Sequence, residues 1–318
     1  MTQALVHPAH PLLPAVIAAA GEKTSRRFLE FFTAEIRNPH TRRAYAMAVS
    51  RFLTWCEKKG LALQQLQPML VAAYIEGLQK EVSPPTVKQH LAAIRMLFDY
   101  LVVGQILPFN PASAVRGPTY VVTVGKTPVL TPEEARSLLD SIDTSHVVGL
   151  RDRALIAVMT YSFARVGAVV GMKVRDYYCQ GRKAYFHLHE KGGKFRKIPV
   201  HHRAMEYVDA YLEAAGIAVE ERSPLFRTSY KKTHTLTREA LTTDAALRIV
   251  KRRAKDAGLP KEIGCHTFRA TGITAFLANG GDLATAQKIA GHESPRTTNL
   301  YDRTKNELSL DEIERIVI

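Results

Sequence analysis

The chain has 318 residues, which suggests about two domains at the usual ~100–200 residues each. Hydrophobic residues make up 46% and charged residues 23%, values that exclude wholesale disorder. Lys and Arg total 44 against 30 Asp and Glu, so the net charge of +14 points to a polyanion, nucleic acid before membrane; a basic enzyme with a solvated surface is the plainer alternative.

Residues 1–24 contain Pro8, Pro11 and Pro14 and little helical period, and are expected to be a loose lead-in with one short helix. The apolar stretch Leu12 to Ala20 is cut by Pro14 and is shorter than the ~20 residues of a bilayer span. No Lys or Arg precedes it, so no secretion signal and no membrane association are expected. Cys56, Cys179 and Cys265 lie far apart, which argues against a disulfide framework or a Cys-rich zinc module and fits a reducing cytosol.

From Ser25 to Val115 the pattern is helical. Phe28, Phe31, Phe32 and Ile36 recur at helix spacing, as do Tyr45, Val49, Phe52, Leu53 and Cys56 ahead of Gly60. Val71–Leu78 and Val87–Leu101 follow, the latter announced by Ser83-Pro84. These make an all-α domain over residues 25–117. Asn110-Pro111 and Gly117-Pro118 break the pattern, and residues 118–130 read as an extended linker. Residues 1–118 carry +6 and residues 119–318 carry +8, so both parts can face the same polyanion.

A second domain is expected over 131–306. Thr131, Pro132 and Glu134 form a capping box that starts a helix. Leu155–Ser162 reads as a buried helix. Ala184–His189 and Arg196–Val200 read as strands of a hairpin around Lys191-Gly192-Gly193-Lys194. Helices are expected at Ala204–Ala215, Thr242–Ala257, Thr267–Ala278, Leu283–Ile289 and Pro295–Tyr301, with a tail helix over 307–318.

Several polar residues stand out. His266 and Arg269 are three apart at a helix start and share a face, where they can bind a phosphate or simply cap the helix and meet solvent. Gly291 reads as a C-cap glycine, with His292 in the turn beyond it. Arg165 ends an apolar run and needs a partner, a carboxylate or a phosphate. From Lys173 to Lys197 there are eight basic residues and two acidic, a charge that suits a hairpin reaching into a nucleic-acid groove or a solvated turn. A Tyr such as Tyr301 most often packs its ring in a core.

Taken in order, Arg165, Lys191, His266-x-x-Arg269, His292 and Tyr301 resemble the tyrosine recombinase (phage integrase, Xer-like) family. His292 lies 26 residues after His266, and Tyr301 nine after His292. Gly291-His292 and Thr297-Thr298-Asn299-Leu300-Tyr301 are similar to the family's signature, and the match runs from about Thr131 to Lys305. Thr41-Arg42-Arg43-Ala44-Tyr45 and Ser83-Pro84-Pro85-Thr86-Val87 resemble its helical core-binding domain. One position departs from the pattern. Many members carry an acid three residues after the first arginine, orienting catalytic side chains; here it is Ala168, with Asp176 the nearest following acid in sequence.

The resemblance implies an N-terminal all-α, SAM-like core-binding domain and a mainly α catalytic domain with a small sheet. It implies a site-specific recombinase in which Tyr301 attacks DNA phosphorus to form a 3′-phosphotyrosine and release a 5′-hydroxyl. No metal, ATP or other cofactor is implied. Arg165 and Arg269 would grip the non-bridging oxygens. A phenol with a pKa of ~10 needs help to lose its proton, so His266 would act as base or phosphate ligand. Lys191 would be the general acid and His292 a phosphate donor. The two domains would clamp a specific duplex site, with Thr41, Arg42, Arg43, Lys88, Lys194 and Arg252, part of the run Lys251-Arg252-Arg253, as candidate DNA contacts or else plain surface charge. A homo-tetramer on DNA is implied, assembled from protomers that are monomeric when free; accessory proteins and a tail docked on a neighbour stay open, and a cytoplasmic, nucleoid-associated location follows from the partner. Two alternatives use the same residues differently: a type IB topoisomerase-like enzyme that reseals one strand, and a non-catalytic DNA-binding accessory protein. A metal site on His187, His189, His201 and His202 is geometrically conceivable but lacks an accompanying carboxylate or cysteine at recognisable spacing.

Overall fold

The computed structural model describes residues 13–122, 125–190, 193–230 and 233–302. The chain divides into two compact units, residues 1–121 and 122–318.

The first unit is built from α1 (Ala15–Ala19), α2 (Glu22–Glu30), α3 (Pro39–Lys58), α4 (Pro68–Gln79) and α5 (Pro84–Val103). α3, α4 and α5 each start on a proline, whose missing N–H costs nothing at that position. Asn38 caps α3 by accepting from the N–H groups of His40 and Thr41. Phe52, Leu53, Ile94, Leu97 and Phe98 are fully buried where α3 meets α5. The short helix expected in the lead-in is α1, and it is packed rather than loose. α1 puts Val16 and Ile17 into this core, and α2 runs across the expected boundary at residue 24. Two neighbouring apolar side chains on a single turn are too short a pattern to show helical period, yet enough to anchor it. α2 passes into a wider turn over Phe31–Glu35 and the chain breaks before α3, so the Phe28-to-Ile36 run is not one helix.

The second unit opens with α6 (Pro132–Asp140), α7 (Val147–Tyr161) and α8 (Val166–Val170). The capping box at Thr131 forms in both directions: Thr131 Oγ1 accepts from Glu134 N, and Glu134 Oε2 accepts from Thr131 N. A meander follows, β1 (Tyr177–Gln180), β2 (Lys183–His189) and β3 (Phe195–Pro199), all antiparallel. The hairpin is as expected; β1, which the sequence reading lacked, alternates too weakly to show, with burial only at its start. α9 (His202–Ala215) packs along α7. A short pair, β4 (Arg227–Ser229) and β5 (Leu236–Ala240), was also not expected. Then come α10 (Thr243–Asp256), α11 (Cys265–Ala278), α12 (Leu283–Ala290) and α13 (Pro295–Asn299).

α7 is buried nearly all round, because α9, α11 and α10 surround it. α11 reaches it closely at Gly272, where an added Cβ would lie 2.0 Å from the carbonyl oxygen of Thr160. That approach brings the start of α11 beside the turn that follows α7. No helix among the described residues is long and apolar enough to cross a membrane.

Candidate active site

The site is assembled where that turn, the start of α11, the end of α12 and the turn after α13 converge. α7 ends at Ser162, whose hydroxyl donates to Val158 O at 2.6 Å. Phe163 then takes a left-handed backbone, φ +52, which is costly for a bulky residue. Its ring is buried in a small apolar cluster with Ile273, Ala290 and Tyr301, and this burial holds the strained turn in place. The turn aims the Phe163 carbonyl at Arg269 Nη1, while Arg269 Nη2 donates to Ala290 O at 2.7 Å. Two backbone carbonyls thus fix a fully buried guanidinium whose Nε has no partner among the described residues.

Arg165 follows as the residue before α8. It is about half-exposed rather than buried, and Nη1 donates to Glu190 Oε2 at 2.7 Å. Both sequence options for Arg165, a carboxylate or a free anion, are therefore compatible with its geometry: one N–H group is engaged and the exposed side faces solvent.

α11 starts at Cys265, two residues earlier than the periodicity suggests, because Thr267 Oγ1 accepts from Gly264 N and caps the turn. His266 is therefore in the first turn. Its Nε2 lies 2.9 Å from Tyr301 Oη. α13 ends at Asn299, not Tyr301, and Tyr301 N donates to Thr298 O in the closing turn. Thr274 Oγ1 donates to Tyr301 O, and Gly125 N donates to Leu300 O, so the backbone on both sides of the phenol is tied down. The ring of Tyr301 is 8% exposed.

α12 ends at Gly291, φ +60, as the C-cap pattern predicts. The turn beyond it puts His292 Nδ1 2.9 Å from Thr298 Oγ1 and stacks its ring on Tyr301, 5.8 Å between centroids. Burial, and then Arg269 and Arg165, hold His266 below the usual histidine range. The same causes, with His266 and Arg196 added, pull His292 down to about 3. Both imidazoles are neutral near neutral pH. Burial, and then Arg165, also lower Arg269, the expected outcome of crowding cations in a desolvated place. The arrangement is a cationic site with a phenol and a neutral imidazole in contact, suited to an anionic substrate attacked by an oxygen.

Two family models match the chain, the phage integrase family over residues 128–307 and the phage integrase N-terminal SAM-like domain over 26–104. The chain belongs to the phage integrase family of tyrosine recombinases. It is 31% identical to tyrosine recombinase XerD of Listeria innocua over 222 residues, 69% of this chain and 71% of that protein. Its fold is similar to that of the XerH site-specific recombinase bound to difH substrate, with TM-score 0.68, 20% identity and coverage of 97% and 98%. It is also similar to a lambda integrase in a tetramer bound to a Holliday junction, with TM-score 0.66, 18% identity and coverage of 89% and 78%.

Five of the six residues singled out in the sequence, Arg165, His266, Arg269, His292 and Tyr301, come together in the second unit. Lys191 lies outside the described residues, as does the tail over 307–318. Lys194 Nζ donates to Glu293 Oε1 at 2.6 Å, beside His292 in the chain. Position 168 is a buried Ala on α8, with no carboxylate. Asp176 does not take that place: its carboxylate accepts from Lys173 N at 2.8 Å and lies 3.3 Å from His189 Nε2.

Sequence reasoning missed Glu190 and Arg196. Glu190 accepts from both Arg165 and Arg196 Nη2, and Arg196 presses against Gly291, so that an added Cβ there would sit 2.9 Å from its Nε. The acid-poor hairpin was a usable signal, since a lone Glu among so many cations has little choice of partner. Asp176, His187 and His189 do bring three ligand atoms within 4.8 Å of one another, which supplies the carboxylate the sequence reading lacked. Asp176 is engaged with Lys173 N and His189, His187 packs its ring on His189 and Phe195, and His201 instead stacks on Tyr161.

Among the candidate DNA contacts, Arg43 and Lys88 are exposed. Arg42 donates through Nε and Nη2 to Ile36 O, which closes the end of the preceding turn. Thr41 offers its N–H to Asn38. Arg252 is half-exposed but donates to Asp152 at 2.9 Å, and Arg253 donates to the same oxygen through Nε and Nη2.

Proposed function

We propose that this chain is a site-specific recombinase that cleaves and rejoins duplex DNA through a 3′-phosphotyrosine at Tyr301, without metal or ATP. The observation that carries the reading is the 2.9 Å contact between His266 Nε2 and Tyr301 Oη beside Arg269 and Arg165. Held neutral by burial and those two cations, His266 can accept the phenolic proton directly or through the bound phosphate. The Tyr301 oxygen bonds to phosphorus as the bond to the 5′ oxygen breaks. Lys191, at the hairpin tip in the sequence, is the donor proposed for that leaving oxygen. The guanidiniums of Arg165 and Arg269 stabilise the charge growing on the non-bridging oxygens, and remain protonated throughout. A 5′-hydroxyl from a partner strand reverses the step, so bond energy is kept in the phosphotyrosine.

The substrate is a specific duplex site, recombined by a tetramer of this chain, with both units contacting DNA. Work on chromosomal or mobile-element DNA in the cytoplasm follows. The family resemblance and the folds of XerH and lambda integrase support this.

The test is an adduct trap. Wild type and Tyr301→Phe are incubated in EDTA with duplexes carrying a nick near the scissile position, inside a pool with randomised flanking sequence. The nick lets the short 5′-hydroxyl product diffuse away, so the covalent species accumulates. The expected result is an SDS-resistant protein–DNA band with wild type alone, mapping to Tyr301 joined to a 3′-phosphate. Equal bands from both proteins, or no wild-type band while DNA is retained, would overturn the mechanism. Loss of the band in EDTA but not with added zinc would instead implicate the Asp176–His187–His189 group.

A further inference from the structure

We infer that Glu190 is a positioning residue for the cleavage reaction, supplying from the hairpin the carboxylate support that Ala168 does not provide from α8. The inference rests on the recombinase reading and assigns a role within that same site.

Arg165 and Ala168 share one face of the turn that opens α8, so an acid at 168 would stand beside the Arg165 stem. Ala168 leaves that side apolar. The carboxylate comes instead from the next layer. Glu190 follows β2, and its N–H donates to Lys194 O at 2.8 Å, which ties it to the base of the turn. Its side chain is 8% exposed, with one oxygen on Arg165 Nη1 and the other on Arg196 Nη2. A carboxylate that accepts from two separate guanidiniums fixes both more tightly than a pair would, because its own rotamer is already spent on the first contact.

Charge explains why a carboxylate is required. Arg165, Arg196 and Arg269 act electrostatically on one another, and Arg196 and Arg269 are largely buried. Three neighbouring like charges, two of them largely desolvated, repel and would splay. One carboxylate between two of them offsets that repulsion and leaves the site net positive for a phosphodiester. Arg196 Nε and Nη1 and Arg269 Nε are buried and have no hydrogen-bond partner among the described residues. Glu190 thus orients Arg165 toward the phosphate through one N–H, Nη1. It also directly precedes Lys191 in the chain.

The experiment measures single-turnover cleavage of the nicked duplex recovered from the wild-type adduct, together with DNA binding and thermal melting, for Glu190→Gln, Glu190→Asp and Glu190→Gln combined with Ala168→Asp. Glu190→Gln is expected to slow cleavage by about tenfold or more while DNA affinity stays within about twofold. Glu190→Asp, which keeps the charge, should lose less. Ala168→Asp should recover most of the rate in the Gln background, an effect a merely structural Glu190 would not produce. A Glu190→Gln rate within about twofold of wild type overturns the role. So does a rate loss, in protein that melts and binds DNA normally, that Ala168→Asp leaves unchanged. If wild type itself forms no Tyr301 adduct from the pool, the recombinase reading fails first; if it does and Glu190→Gln matches it, only this inference fails.

Discussion

At the scale of single residues, His292 shows how the site's electrostatics couple to stability. Burial and the surrounding Arg269, Arg165 and Arg196 depress its affinity for a proton in the folded state to about 3. In the unfolded chain the same imidazole titrates near ~6.5. Below that value the unfolded state binds a proton that the folded state refuses, so stability falls as pH falls and is fully present only above it. His266 is shifted the same way and adds to the slope. The expected outcome is a melting temperature that drops as pH falls from about 6.5 toward about 3, with a shallower drop in His292→Asn, whose side chain is uncharged at any pH. Scanning calorimetry in matched low-salt buffers checks this. An equal slope in both proteins would mean that His292 titrates normally.

At the scale of elements, the second unit is pinned by a buried acid rather than by apolar packing alone. Asp152 on α7 is fully buried. One of its oxygens accepts from Arg151 Nε and Nη2, and the other from Arg252 and Arg253 on α10. Arg151 carries the network on to the carbonyl of Arg227 in β4 at 2.9 Å. One carboxylate therefore joins α7, α10 and the second sheet. Replacing it removes the only anion among these partners within the described residues, leaving buried Arg151 and Arg253 uncompensated. Asp152→Asn is expected to cost about 3–5 kcal/mol in urea unfolding, whereas Arg252→Ala, at a half-exposed position, should cost about 1 kcal/mol or less. The network also means that part of the basic run on α10 serves the fold.

At the scale of the whole molecule, both units carry an excess of positive charge, +6 over residues 1–118 and +8 over residues 119–318. A protein of this kind that contacts several phosphates releases counterions on binding, so its affinity must fall steeply with salt. For about six contacts the loss between about 50 mM and about 200 mM salt is on the order of a thousandfold or more. Arg43→Ala and Lys88→Ala, at exposed positions, are expected to reduce the log–log salt slope by about one each. Arg42→Ala should change the slope less and stability more, since both its donor groups serve Ile36 O. Fluorescence anisotropy against salt distinguishes them.

The order Arg165, His266, Arg269, His292, Tyr301 was legible through its resemblance to the tyrosine recombinase family; local punctuation (an apolar run, a helix start, a C-cap glycine) marked the first four and not Tyr301. Local chemistry sets those places, and so the helices, the capping box at Thr131 and the β2–β3 hairpin were legible too. The Arg165–Glu190 pair and the Asp152 network were not, because they bond across 25 and about 100 residues, distances at which no periodicity links the partners. The left-handed turn at Phe163 was equally hidden: nothing in a Phe calls for positive φ, and only the apolar cluster around its ring holds it there. Sequence determined which side chains could do the chemistry. Tertiary structure decided which of them are desolvated, which share a carboxylate and which donors are left without a partner, since burial and long-range pairing exist only once the elements have packed.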